Sequence, residues 1–94
     1  MESICLHCFV SGHVQGVFYR RWVYDFALAQ GLVGWVKNLE DGRVEVLISG
    51  EKKAAETLKE ALWKGPAAAK VSGVVVEEIP LEQQEQQETF EIRF

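Results

Sequence analysis

Apolar and polar positions along the chain change period several times, and each change marks an element. Ile4, Leu6, Cys8 and Val10 alternate with Cys5, His7, Phe9 and Ser11, so residues 4 to 11 read as a strand whose first set faces a core. From about Tyr19 the period becomes helical: Tyr19, Trp22, Val23, Phe26 and Ala27 form one stripe, and Gly31 supplies a stop. Strand signals return over residues 33 to 39 and 43 to 49, where Val44, Val46 and Ile48 face one way and Arg43, Glu45 and Ser49 the other. Glu40-Asp41-Gly42 between them carries the Asp-Gly signal of a hairpin. Glu51 to Trp63 reads as a second helix with Ala54, Ala55, Leu58, Ala61 and Leu62 as its apolar stripe, ended by Gly65-Pro66. Val71 to Ile79 is a fourth strand, closed by Pro80. Leu81 to Thr89, rich in Gln and Glu, has no apolar face and is expected to be a mobile, solvated connection. Phe90, Ile92 and Phe94 alternate with Glu91 and Arg93 in a short terminal strand.

The order β-α-β-β-α-β plus a terminal strand predicts an α+β fold, the ferredoxin-like split βαβ sandwich: a mostly antiparallel sheet with two helices on one face. Two strands joined by a helix run parallel, so their C-terminal ends lie at one edge of the sheet. That brings the segment from Gly12 to Arg20 beside Asn38.

With 94 residues the chain supports one core, and residues 1–94 are expected to form a single domain. No apolar run approaches the roughly 20 residues that span a bilayer, and the N-terminus has no basic stretch followed by a long apolar segment. A cytoplasmic, membrane-free protein is therefore expected, and nothing argues against a monomer. The net charge of −4, with no Lys/Arg cluster, disfavours a broad nucleic-acid footprint. Cys5 and Cys8 have CxxC spacing, but on a strand residues three apart point to opposite faces. Neither a mutual disulfide nor shared zinc ligation fits, and free thiols in a reducing compartment are expected.

The candidate chemistry lies between the first strand and the first helix. The opening N–H groups of a helix have no intrahelical partner and carry partial positive charge, so this place favours an anion. Gly16 lets the amides around it curl into a concave nest with no side chain in the way. Arg20 adds a permanently charged fork suited to two phosphate oxygens. A cation at a helix N-terminus is unfavourable unless a bound anion offsets it. A plain strand-to-helix turn with an exposed arginine is the bland alternative. Asn38 is unusual in a strand. It either bonds local backbone beside the hairpin or, having both a donor and an acceptor, holds a water and an oxyanion together. Asp25 reads as a solvated helix position, and Trp22, Phe26, Trp35 and Trp63 as core.

Gly12-His13-Val14-Gln15-Gly16-Val17-Phe18-Tyr19-Arg20 resembles the first signature of the acylphosphatase family. Gly34-Trp35-Val36-Lys37-Asn38, with Gly42, Val44 and Gly50 following, resembles the second. The likeness spans the whole chain. Tyr19 departs from the family's usual Phe, and His13 and Phe18 fall at positions that the family leaves variable, so no side-chain role is carried over to them. The resemblance implies hydrolysis of the carboxyl-phosphate anhydride of a small acyl phosphate, releasing a carboxylate and inorganic phosphate without metal or organic cofactor. It implies that Arg20 and the amides of Gln15, Gly16, Val17, Phe18, Tyr19 and Arg20 bind the phosphoryl group, and that Asn38 orients the attacking water. A carboxylate leaving group is good enough for positioning and charge stabilisation to suffice, with a substrate phosphate oxygen taking the proton. The rival class is a non-catalytic ferredoxin-like domain binding a phosphate-bearing ligand. RNA recognition needs exposed aromatics within a basic face, and the central strands offer Phe9 beside Glu45.

Overall fold

The computed structural model describes residues 2–81 and 88–94. The elements run β1 (Ser3–His13), α1 (Tyr19–Ala29), β2 (Val33–Asn38), β3 (Val44–Glu51), α2 (Lys52–Ala61), β4 (Lys70–Ile79) and β5 (Phe90–Arg93). The five strands form one sheet in the order β4-β1-β3-β2-β5. Every neighbouring pair is antiparallel except β2 with β5, which is parallel. This is the expected ferredoxin-like arrangement with an added C-terminal edge strand. Most of the connection expected at Leu81 to Thr89 falls at residues 82–87, outside the described residues.

Register puts the alternating apolar set on one face. Leu6 lies opposite Ile48, Cys8 opposite Val46 and Val10 opposite Val44, and all six side chains are buried. Val23 and Ala27 of α1 and Ala55 and Leu58 of α2 close over them, with Leu62 just past α2, in one apolar cluster. Burying each large aliphatic side chain contributes about 1.5–3 kcal/mol, and this layer supplies most of what holds the fold.

The other face is not uniformly polar. Cys5, Trp35 and Leu47 form a second, smaller buried cluster, with Ile79 packed against it. The continuous run Val46-Leu47-Ile48 therefore serves both faces of β3. Around it, His7 meets Glu45 at 2.6 Å and its ring lies 4.7 Å from that of Phe9. The Arg43 guanidinium stands 4.9 Å from the Phe9 ring, and Lys37 and Arg93 both approach the Trp35 ring. Cys5 and Cys8 are free and buried in different clusters, as the strand period requires. Burial pushes the Cys8 thiol up to about 12, against a smaller opposing effect of Lys59, and burial raises Cys5 as well.

Trp63 departs from its expected place in the core: it is 53% exposed. α2 ends at Ala61, and Trp63 follows in a turn closed by its N–H to the Glu60 carbonyl, which takes it off the helical stripe. Trp22 and Phe26 pack as partly buried side chains at the border of the main cluster.

The helices are tied together by Tyr19, which is buried and donates its hydroxyl to the Leu62 carbonyl at 2.6 Å. The phenol thus finds its partner at the C-terminal end of α2, where the last carbonyls of a helix lack intrahelical donors. Burial raises the Tyr19 pKa, so this hydroxyl stays a donor through the neutral range.

Tyr19→Phe should cost about 1 kcal/mol, the worth of one hydrogen bond, seen as a fall in Tm of roughly 4–8 °C. An unchanged Tm would show that the bond contributes nothing. Neither thiol should react with a thiol reagent in the native state, and labelling should track global unfolding. The neutral buried Cys8 also makes stability fall as pH rises from about 9, where an unfolded thiol ionises, toward about 12.

Candidate active site

β1 and β2 both pair antiparallel with β3, so they run parallel to each other and end at the same edge of the sheet. At the end of β1 the pairing with β4 shifts between Ser11 and Gly12, and this bulge redirects the chain into the following loop. Gly12 has φ of +123°, and a Cβ there would stand 2.2 Å from the Lys70 carbonyl oxygen, so only glycine permits the bulge.

The loop then makes two left-handed steps, at Gly16 (φ +73°) and Phe18 (φ +63°). A Cβ at Gly16 would meet no atom within 4 Å, so its glycine answers a backbone requirement and leaves open space above it. Phe18 is the residue preceding α1 and gives the helix no side-chain cap; no acidic residue stands in the first turn. The first turn instead carries Arg20 and Arg21, cations at the positive end of the dipole. Arg21 is offset by Asp25 at 3.0 Å, one turn along the helix. Arg20 has no acidic partner among the described residues: its Nη1 donates to the Arg93 carbonyl at 3.3 Å, and its guanidinium lies 4.7 Å from the centre of the Phe94 ring.

These groups surround a cleft of about 270 Å³, lined by Val14, Gly16, Phe18, Tyr19, Arg20, Arg21, Asn38, Ile92 and Phe94. Arg20 and Asn38, eighteen positions apart in sequence, thus share one cavity. The Asn38 Oδ1 is buried and makes no hydrogen bond among the described residues. An acceptor left unpaired in this way costs about 1–3 kcal/mol, and a water or ligand donor in the cleft would offset it. The backbone-bonding alternative for this oxygen is not what the structure contains.

Of the residues named from sequence, Gly16, Phe18, Tyr19, Arg20 and Asn38 line the cleft, whereas Gln15 and Val17 do not. Val17 is buried in the core. The Gln15 carboxamide turns toward the hairpin and donates to the Leu39 carbonyl at 2.7 Å and the Arg43 carbonyl at 2.9 Å. Those two residues close the β2–β3 hairpin through the Leu39 N–H to Arg43 carbonyl bond. Gln15 therefore fastens the loop to the turn that follows Asn38. Within the turn, Asp41 takes hydrogen bonds from the Arg43 N–H and Nε; these bonds, the backbone one first, hold its carboxyl below the usual range.

Val14, Arg21, Ile92 and Phe94 line the cleft without having been named as site residues from sequence. The signal for the last two was the alternation of the terminal strand. What converts it into a site contribution is the parallel pairing of β5 with β2, in which Lys37 lies opposite Arg93. The lining contains no carboxylate side chain and no imidazole among the described residues, and its one titratable phenol is spent on the Leu62 carbonyl.

The acylphosphatase family profile matches residues 6–92. An acylphosphatase from Pseudomonas paraeruginosa is 52% identical over 82 residues, covering 87% of this chain and 90% of that protein. The structure of an acylphosphatase from Coxiella burnetii superposes with a TM-score of 0.90 at 45% identity, covering 97% of this chain and 93% of its own. That of an acylphosphatase from Bacillus subtilis gives a TM-score of 0.90 at 36% identity, covering 97% and 99%. Agreement of the sequence along almost its whole length, and of the fold that carries the cleft, makes this chain a member of the acylphosphatase family.

Proposed function

We propose that this cleft is where the chain, a hydrolase of acyl phosphates, binds its substrate, and that Arg20, the loop amides and Asn38 carry the reaction. The observation that supports this most strongly is the buried, unpartnered Asn38 Oδ1 in the same cavity as an arginine that has no acidic partner among the described residues.

The phosphoryl group sits over the left-handed turns at Gly16 and Phe18, where amides from Gln15 to Arg20 and the dipole of α1 supply donors and positive charge. The Arg20 guanidinium takes phosphoryl oxygens bidentately. Phe94 and the Arg93 carbonyl hold it in place, which limits the entropy lost on binding. Gln15 and Val17 contribute through their amides alone, because their side chains serve the hairpin clamp and the core.

The Asn38 Oδ1 accepts an O–H of the attacking water while its Nδ2 donates to a phosphoryl oxygen. The water oxygen bonds to phosphorus as the bond from phosphorus to the acyl oxygen breaks, and that electron pair leaves with the carboxylate. One water proton passes to a phosphoryl oxygen: RCO–OPO3²⁻ + H2O → RCOO⁻ + H2PO4⁻. A lining without a carboxylate or imidazole side chain among the described residues is suited to this route, because the leaving group needs no proton and the substrate provides the base. Charge that builds on the phosphoryl oxygens meets donors already in place.

We place the activity in the cytoplasm, as a monomer of one domain. Cys5 and Cys8, close in sequence and unbridged, suit a reducing compartment.

Arg20→Ala should lower kcat/KM by roughly 10²-fold or more and weaken inhibition by inorganic phosphate. Asn38→Ala should lower kcat by roughly 10²-fold or more with the fold intact by circular dichroism. Wild-type-like turnover in either variant would contradict the assignment. Inorganic phosphate, binding the folded loop alone, should stabilise the wild type by about 2.7 kcal/mol at 100 times its Kd. It should do so far less in Arg20→Ala, and a Tm indifferent to phosphate in the wild type would contradict the cradle.

A further inference from the structure

The phosphoryl end of the cleft is accounted for by Gly16, Arg20 and Asn38, but its rim is not. Phe18 lines the cleft with its side chain 83% exposed, on a backbone at φ +63°. A bulky residue is an outlier in that conformation, which glycine adopts freely. The ring contributes nothing to the core, so packing does not explain why a phenylalanine occupies this turn. Residues held in sparsely populated conformations concentrate at ligand sites. Phe94, 99% exposed, and Ile92 complete an apolar rim reached from the opposite end of the sequence.

Resting on the assignment of the cleft as the acyl phosphate site, we infer that Phe18, with Ile92 and Phe94, forms the acyl-group subsite and selects substrates whose acyl group is apolar and flat. The phosphate fixes one end of the substrate on Arg20, so the acyl group must leave the cradle past this rim. Two exposed rings and an isoleucine offer such a group burial and ring contact. Their side chains offer no donor or acceptor to a polar substituent. Of the two charged side chains in the lining, Arg20 is taken up by the phosphate in this reading, and Arg21 is engaged by Asp25 at 3.0 Å, which weakens its attraction for a second carboxylate.

The test is kcat/KM for benzoyl phosphate, acetyl phosphate and the monoacyl phosphate of succinate, each corrected for spontaneous hydrolysis, on the full chain. The benzoyl-to-acetyl ratio should be roughly tenfold or more in the wild type, the low end of what apolar pocket contacts discriminate. Phe18→Gly removes the ring while suiting the observed backbone, and should bring the ratio down to within about threefold of unity. Phe18→Tyr keeps the flat ring and should retain the preference. Because the readout is a ratio within each variant, a general loss of turnover does not mimic it. Should Phe18→Gly lose turnover altogether, the ratio in Phe94→Ala, also expected to fall, decides. A ratio unchanged by loss of the ring overturns the inference. So does a wild-type preference for the succinyl substrate that Arg21→Ala abolishes. If the wild type leaves all three substrates at their spontaneous rates, the reading of the site as catalytic fails together with this one.

Discussion

The site depends on one constraint: β1 and β2 share β3 as an antiparallel neighbour. Strands on either side of a common antiparallel partner point the same way, so the loop leaving β1 and the asparagine ending β2 meet at one edge of the sheet. The register that buries Leu6 against Ile48 and Val36 beside Val46 is the register that aligns these ends. A one-residue slip would turn the whole apolar set out of the core. Placement of the site is therefore enforced by the energy of the core. Gln15 sharpens it locally, since two hydrogen bonds from one carboxamide to Leu39 and Arg43 join the loop to the hairpin.

Within that frame, local choices unfavourable to folding converge on one cavity. A helix carries two arginines and no acid in its first turn, the residue before it is a left-handed phenylalanine, and a buried side-chain carbonyl oxygen has no partner among the described residues. Each costs stability in isolation. An anion with an attendant water would relieve the first and the last together. The Tyr19 bond to α2 and the stacking of Phe94 on Arg20 lie at the border of the same region. The scaffold thus holds the start of α1 rigid where the loop alone would not.

Much of this was legible in the sequence because it depends on short-range pattern. The period of two from Ile4 to Val10, the helical stripe from Tyr19 to Ala27 and the Asp41-Gly42 turn each define their element locally. Arg20 and Asn38 were legible as residues out of place, a cation at a positive helix end and an amide in a strand. What was not legible depends on partners distant in the chain. Ile92 and Phe94 reach the cleft only through the parallel pairing of β5 with β2, which no local pattern specifies. The Gln15 side chain turns toward the hairpin because two carbonyls await it there, and the motif alone does not distinguish that from a turn toward phosphate. Trp63 reads as core by residue type but follows the end of α2, where the helical period no longer governs direction.

The central claim is that main-chain amides, a guanidinium and a carboxamide act on one ligand, and it is tested most directly by NMR. A titration of the ¹⁵N-labelled chain with inorganic phosphate should move the amides of residues 16 to 20, the Arg20 Nε–H and the Asn38 side-chain NH2 along a single saturation curve. If the Asn38 carboxamide stays still while the loop saturates, or if the shifts gather away from the cleft, the account is contradicted.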